Sequence, residues 1–187
     1  MVNAGDIEKG MYLLFRGEPC VVASKEFMNP GKGSAIMRVK YKSLKNGNVV
    51  EYAHKTTESV EEADVDKVEL TFSYIDGDNA IFIDSETYEQ TPVPLSTLSG
   101  REVYLIPDLK CWVLLFEEKA IGIILPPNVV LTVTESQDAV AGNRVNAPKK
   151  EITVETGLKL QAPLFIKEGE KILISTADGS YVSRANQ

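Results

Sequence analysis

The stretch AIMRVKYKSLKNGNVVEYAHK, Ala35–Lys55, decides how the chain folds. From Met37 to Lys42 apolar and basic residues alternate, so a strand here puts Met37, Val39 and Tyr41 on one face and Arg38, Lys40 and Lys42 on the other. Asn46-Gly47 is a hairpin signal, because both central positions of a type I′ turn need positive φ, and NVVEYAHK supplies the return strand. Upstream, CVVASKEF (Cys20–Phe27) is another β-rich run, and MNPGKGS (Met28–Ser34) joins the two. The first third therefore reads strand, loop, strand, turn, strand, which suits a small SH3-like barrel.

The same pattern continues outward from this stretch. VELTFSYIDGDNAIFIDSETYEQ (Val68–Gln90) repeats the hairpin logic around Asp76-Gly77, and PLSTLSGRE (Pro94–Glu102) is the one short stretch that reads as helix. A third unit runs from VVLTVTESQ through a polar loop, Asp138 to Lys150, into EITVETGLKLQAPLFIKEGEKILISTADGSYVSRA. Five or so short strands with glycine turns in each of the last two units suggest Greek-key or OB-like barrels. The expectation is an all-β chain of three consecutive small β-barrels, with units at 1–63, 64–128 and 129–187.

Composition narrows the function. The 187 residues are enough for two or three small β-modules, and 43% apolar residues can fill their cores. No run of about 18 apolar residues is present, and acids at Asp6 and Glu8 stand where a secretory signal would be basic and then apolar. Cys20 and Cys111, with no CxxC spacing, offer neither a disulfide framework nor a zinc site and fit a reducing compartment. The expectation is a soluble, cytoplasmic protein that needs no cofactor or metal. A single histidine, His54, leaves no multi-histidine centre, and the Asp76/Asp78 and Glu117/Glu118 pairs fall in turns rather than in an acid–base site. A phosphate-binding P-loop fails too, because Glu26 stands where its first glycine belongs and a strand follows where a helix should start. An enzyme is disfavoured.

Charge is uneven. The formal net charge is -7, yet residues 1–63 carry 9 Lys+Arg against 8 Asp+Glu, residues 64–128 carry 4 against 12, and residues 129–187 carry 7 against 7. Residues 27–50 hold Lys32, Arg38, Lys40, Lys42 and Lys45 with no acid between them, a local field that attracts phosphate. Within it, Pro30 fixes its own φ while Gly31 and Gly33 free the backbone on both sides of Lys32. That arrangement pushes one lysine outward on a hairpin tip backed by a basic strand.

The residues Pro30-Gly31-Lys32-Gly33 with AIMRVKYKSLKNGNVVE, then SVEEADV, YIDGDNAIFIDSETYEQ, PLFIKEGEKI and the C-terminal DGSYVSR, resemble bacterial elongation factor P over essentially the whole chain. The two-domain hypusine-bearing initiation factor of archaea and eukaryotes is similar only in its first two units. A divergent paralogue of the factor and a general RNA-binding β-barrel protein are the competing readings. The resemblance implies an L-shaped, tRNA-sized monomer that binds the ribosome, touching both subunits and their rRNA, between the peptidyl and exit sites. It implies that Lys32, extended by a modifying enzyme such as a lysyl-tRNA synthetase-like ligase, holds the CCA end of peptidyl-tRNA, so that poor donors such as consecutive prolines react. Arg38, Lys40, Lys42, Lys45 and Arg144 are the expected RNA contacts, and Tyr181, Ser183 and Arg184 form the C-terminal signature. Gly142-Asn143-Arg144-Val145-Asn146-Ala147 departs from the family's Gly-Asp-x-x-Gly-Thr loop, which is associated with reading the exit-site codon, and keeps only the first glycine.

Overall fold

The computed structural model describes residues 1–29, 31, 33–136 and 149–185. The first sheet is built from β1 (Val2–Asn3), β2 (Tyr12–Phe15), β3 (Glu18–Met28), β4 (Ile36–Ser43), β5 (Val49–Lys55) and β6 (Ser59–Glu62), in the order β1-β6-β2-β3-β4-β5. The second contains β7 (Val65–Asp76), β8 (Asn79–Ile83), β9 (Gln90–Pro94), β10 (Lys110–Phe116) and β11 (Lys119–Ile124), ordered β11-β10-β7-β8-β9. The third contains β12 (Asn128–Ser136), β13 (Lys149–Val154), β14 (Lys159–Pro163), β15 (Lys171–Ser175) and β16 (Tyr181–Arg184), ordered β14-β13-β12-β15-β16. The strand pairs are antiparallel. Among the described residues helix is confined to α1 (Leu95–Leu98) and 3₁₀ turns at Ala4–Asp6 and Arg101–Tyr104, so the segment expected to be helical is one. No helix of the described residues is long and apolar enough to cross a membrane.

The alternation in β4 is what seats the first core. Met37, Val39 and Tyr41 are buried with Leu13, Cys20 and Val22, while Lys40 and Lys42 are exposed. The second core gathers Leu70, Phe72, Phe82, Val93, Val113 and Ile123, with Phe72 and Phe82 edge to face at 5.6 Å between ring centres. The third gathers Val129, Leu131, Ile152, Ile166, Ile172 and Ile174.

The three cores are not equally independent. Tyr104 of the second unit is buried inside the third core, Val103 and Ile106 pack on it, and Leu109 and Leu125 touch both cores. Thr176 adds polar ties, its Oγ1 donating to the Pro126 carbonyl at 2.6 Å and its backbone N–H to that of Pro127 at 3.0 Å. Among the described residues no such sharing joins the first core to the second. Contacts there are peripheral: the Lys67 ammonium lies 5.1 Å from the centre of the Tyr12 ring, and Gly47 lies against the Ser99 hydroxyl.

Two of the expected turns are built differently. Only Gly47 has positive φ at the β4–β5 connection, which runs five residues, Leu44–Asn48; the Asn46 carboxamide instead accepts from the Asn48 N–H at 2.9 Å. At the β7–β8 hairpin Asp76 pairs with Asn79, so Gly77-Asp78 is the two-residue loop and glycine alone takes positive φ, at its first position. Turns with positive φ at both central residues occur at Arg16-Gly17 (φ 55° and 78°) and at Glu117-Glu118 (φ 50° and 61°).

Candidate functional site

β3 and β4 form the longest hairpin arm of the first unit, paired from Cys20 with Ser43 out to Met28 with Ile36. Because Met28 pairs with Ile36, the connection is Asn29–Ala35, the segment that carries the lysine. Pro30 and Lys32 themselves lie outside the described residues. The two glycines do not: Gly31 and Gly33 have φ of 74° and 117°, both exposed, with nothing within 4 Å of where a Cβ would sit. A side chain at either place would strain the backbone and meet no clash. Conformation, not space, is what demands glycine there.

The basic strand behind the tip is less bare than its local sequence suggests. Register sets Arg38 opposite Glu26 and Lys40 opposite Glu51. Arg38 Nη1 lies 3.5 Å from Glu26 Oε2, its Nε 3.3 Å from Glu51 Oε1, and Lys40 Nζ 3.7 Å from Glu51 Oε2. The stretch 27–50 holds no acid, yet Glu26 and Glu51, just outside it, face these two residues across the sheet. Each such exposed pair contributes only about 0.2–1 kcal/mol, so both cations remain available to a stronger anion. Lys42 faces Val21 and Val49, and neither it nor Lys45 has a carboxylate within 4 Å among the described residues. Lys42 lines a cleft against the second unit.

The lone histidine is inside. Met37 pairs with His54, so His54 shares the core-facing side of β4, and it is buried between the Tyr41 hydroxyl and Glu58. Phe15 stacks on Tyr41 at 4.6 Å between ring centres, and Tyr52 meets His54 at 4.6 Å. This is a packed and hydrogen-bonded core group; sequence alternation carried across the β4–β5 pairing is the signal that finds it. Burial pushes the Tyr41 phenol up to about 12, and the hydrogen bond from His54 holds the Glu58 carboxyl below its ordinary value.

The C-terminal signature falls on edge strand β16. Tyr181 packs on the third core, and Ser183 is exposed. Arg184 donates to the Phe165 carbonyl at 3.1 Å, lies 3.2 Å from Glu170, and has its guanidinium 4.7 Å from the centre of the Phe165 ring. These contacts fasten β16 to the loop before β15. Arg144 and the loop Gly142–Ala147 lie outside the described residues, as does the rest of 137–148. Cys20 and Cys111 are buried free thiols, and burial raises both, Cys111 to about 12, so neither is a reactive nucleophile. Among the described residues no group of three or more His, Cys, Asp or Glu is placed to hold a metal ion.

Three small antiparallel units, the first carrying a long hairpin whose connecting loop holds two positive-φ glycines, define an all-β protein built of consecutive small β-units. The solved structure of translation initiation factor 5A from Methanococcus jannaschii matches with a TM-score of 0.53 and 25% identity, over 67% of this chain and 90% of that one. The likeness therefore spans about two of the three units. Family models match in series across the chain: the elongation factor P KOW-like domain at residues 3–60, its OB domain at 65–123 and its C-terminal domain at 129–184. Elongation factor P of Treponema denticola is 40% identical over 186 residues, and that of Treponema pallidum 41%, each covering both chains in full. The chain belongs to the elongation factor P family and is a translation elongation factor.

Proposed function

We propose that this factor binds the ribosome between the peptidyl and exit sites and promotes peptide-bond formation with poor substrates such as consecutive prolines. The units 1–63, 64–128 and 129–187 act as successive parts of an elongated, L-shaped monomer in the cytoplasm. Lys32, extended by a modifying enzyme such as a lysyl-tRNA synthetase-like ligase, holds the CCA end of peptidyl-tRNA. Arg38, Lys40, Lys42, Lys45 and Arg144 supply phosphate contacts. The chain transfers no group; it lowers the entropic cost of aligning a reluctant donor, and the chemistry stays with the ribosome.

The observation that carries this reading is the pair of positive-φ glycines at the end of the β3–β4 arm, in a chain that matches the family end to end. A loop whose two described glycines meet no neighbour, set where β3, β4 and β5 end together, can deliver one side chain into a narrow space. β4 is anchored in the core by Tyr41, Val39 and Met37, the last of them one pair from the tip, so the reach beyond the core is set by the loop Asn29–Ala35.

The test is synthesis of a consecutive-proline peptide in a reconstituted translation system, with protein purified from its native source and its intact mass measured first. Lys32→Ala should abolish the rescue while leaving most ribosome affinity. Lys40→Gln should instead weaken binding and reduce its salt slope by about one phosphate contact. Full rescue by Lys32→Ala beside the native protein would refute the role of the tip.

A further inference from the structure

Between the first and second units lies a cleft of about 230 Å³, whose polar lining is Tyr12, Lys42 and Ser43 on one side and Thr97, Ser99 and Arg101 on the other, with aliphatic side chains of both units making up much of the rest. None of its lining residues is acidic, although residues 64–128, which form one wall, hold 12 Asp+Glu against 4 Lys+Arg. Two cations from different units thus share a space from which a strongly acidic segment has kept its carboxylates away.

Arg101 is held in an unusual way. Its Nε donates to the Leu98 carbonyl at 3.0 Å and its Nη1 to the Ile123 carbonyl at 3.1 Å, which fixes the guanidinium plane against the second unit. Among the described residues no carboxylate lies within 4 Å of it, and its remaining N–H donors have no protein acceptor. A half-buried guanidinium loses hydration that two neutral carbonyls only partly replace, so it favours an added anion. Lys42 lines the same cleft from β4, and the Ser43 hydroxyl, which accepts from the Lys45 N–H at 3.2 Å, keeps its own proton to donate. The volume lies below the roughly 300–1,000 Å³ of a drug-sized ligand pocket, so the guest is a single group and not a whole nucleotide.

We propose that this cleft is a phosphate-group site, in which Lys42 of the first unit and Arg101 of the second take the same anionic group from opposite walls. A phosphate held there ties together two units whose cores are separate, and so fixes the direction of the β3–β4 arm relative to the rest of the chain. The phosphate can belong to an RNA backbone or be free in solution. Lys42 is also one of the RNA contacts proposed above, but the site rests on cleft geometry and needs no ribosome, so its test can fail without touching the translational reading.

The experiment is an amide-resolved NMR titration of the full chain at fixed ionic strength, with inorganic phosphate in one arm and a short single-stranded oligoribonucleotide in the other. Saturable shifts are expected at Gly47, Ser99 and Gly122, which line the cleft. Lys42→Gln should weaken the saturating arm about tenfold, the loss of one charge-assisted hydrogen bond, while Lys171→Gln, an equal charge change on the third unit, should not. Arg101→Gln serves as the second variant, read by the same shifts after its fold is checked by the unchanged Phe72 and Phe82 signals. Saturation with inorganic phosphate alone assigns a free ion, saturation with RNA alone assigns a backbone phosphate, and both support the site. Shifts that never saturate in either arm, or an equal loss in Lys171→Gln, would overturn it.

Discussion

The Tyr41 hydroxyl lies 2.8 Å from His54 Nε2, and His54 Nδ1 lies 3.0 Å from Glu58 Oε2. In the neutral imidazole this is one consistent relay, the phenol donating to Nε2 and Nδ1–H donating to the carboxylate. Each partner sits on a different piece of the first unit: β4, β5 and the turn leading to β6. Replacing His54 with Leu should cost about 1–3 kcal/mol, since it strands the buried Tyr41 hydroxyl. Chemical denaturation of the two proteins measures it, and a cost below that of Tyr41→Phe would show that the relay is not what holds the unit.

The same relay sets two limbs of the pH profile. The Glu58 carboxyl is held below its ordinary value by the His54 hydrogen bond, so the unfolded chain binds more protons in the acid range and stability falls as pH drops through that range. Glu58→Gln should make this acid limb shallower, with Asp84 and Asp178, also held low by hydrogen bonds, supplying the rest. Burial raises the Tyr41 phenol to about 12, so its contribution is complete below the ordinary tyrosine value and is lost as pH climbs from there toward 12. Tyr41→Phe should make the alkaline limb shallower, the buried Cys111 thiol, also raised to about 12, supplying the rest, and leave the acid one in place. Unfolding midpoints measured across pH for the three proteins decide both points.

Glu117 and Glu118 occupy a two-residue hairpin loop with Phe116 paired to Lys119, and both have positive φ. Neither has the short side chain or missing Cβ that makes such a conformation easy. Replacing the pair with Asn-Gly should stabilise the second unit by about 0.5–2 kcal/mol without changing the strands. A rise in thermal midpoint with an unchanged circular dichroism spectrum is the expected result, and destabilisation would mean the glutamates have a partner of their own.

Shared and separate cores predict how the chain comes apart. Tyr104 joins the second unit to the third, whereas no residue is shared between the first core and the second. Hydrogen exchange should show the first unit opening on its own and the other two opening together. Tyr104→Ala, which removes a buried ring, should cost about 3–5 kcal/mol and split the joint transition in two. In solution the same arrangement should give a radius of gyration clearly above about 16 Å, the compact value for this length; scattering at that value would contradict units in series.

Arg184 tests whether the C-terminal signature is a contact surface or a fastening. Its carbonyl, carboxylate and ring contacts in the loop before β15 predict that Arg184→Ala destabilises the third unit by about 1–2 kcal/mol and that Arg184→Lys does not restore it, because an ammonium lacks the planar fork. Calorimetry reads the loss. Weakened ribosome binding with unchanged stability would instead make it a contact.

The sequence by itself determined the class of fold, because strand alternation is a local property: Met37, Val39 and Tyr41 had to turn away from Lys40 and Lys42 wherever that strand was placed. It also determined the glycines around the tip, since their backbone freedom belongs to the residue type. Turn type was less legible, for Asn46-Gly47 and Glu117-Glu118 take conformations that depend on strand register as much as on their own preferences. What only tertiary structure decided is which charges meet. Glu26 and Glu51 answer Arg38 and Lys40 because pairing brings distant acids across the sheet, while Val21 and Val49 beside Lys42 leave it for the cleft that Arg101 shares. Electrostatic energy depends on separation in space, and a chain read in one dimension holds no record of that distance.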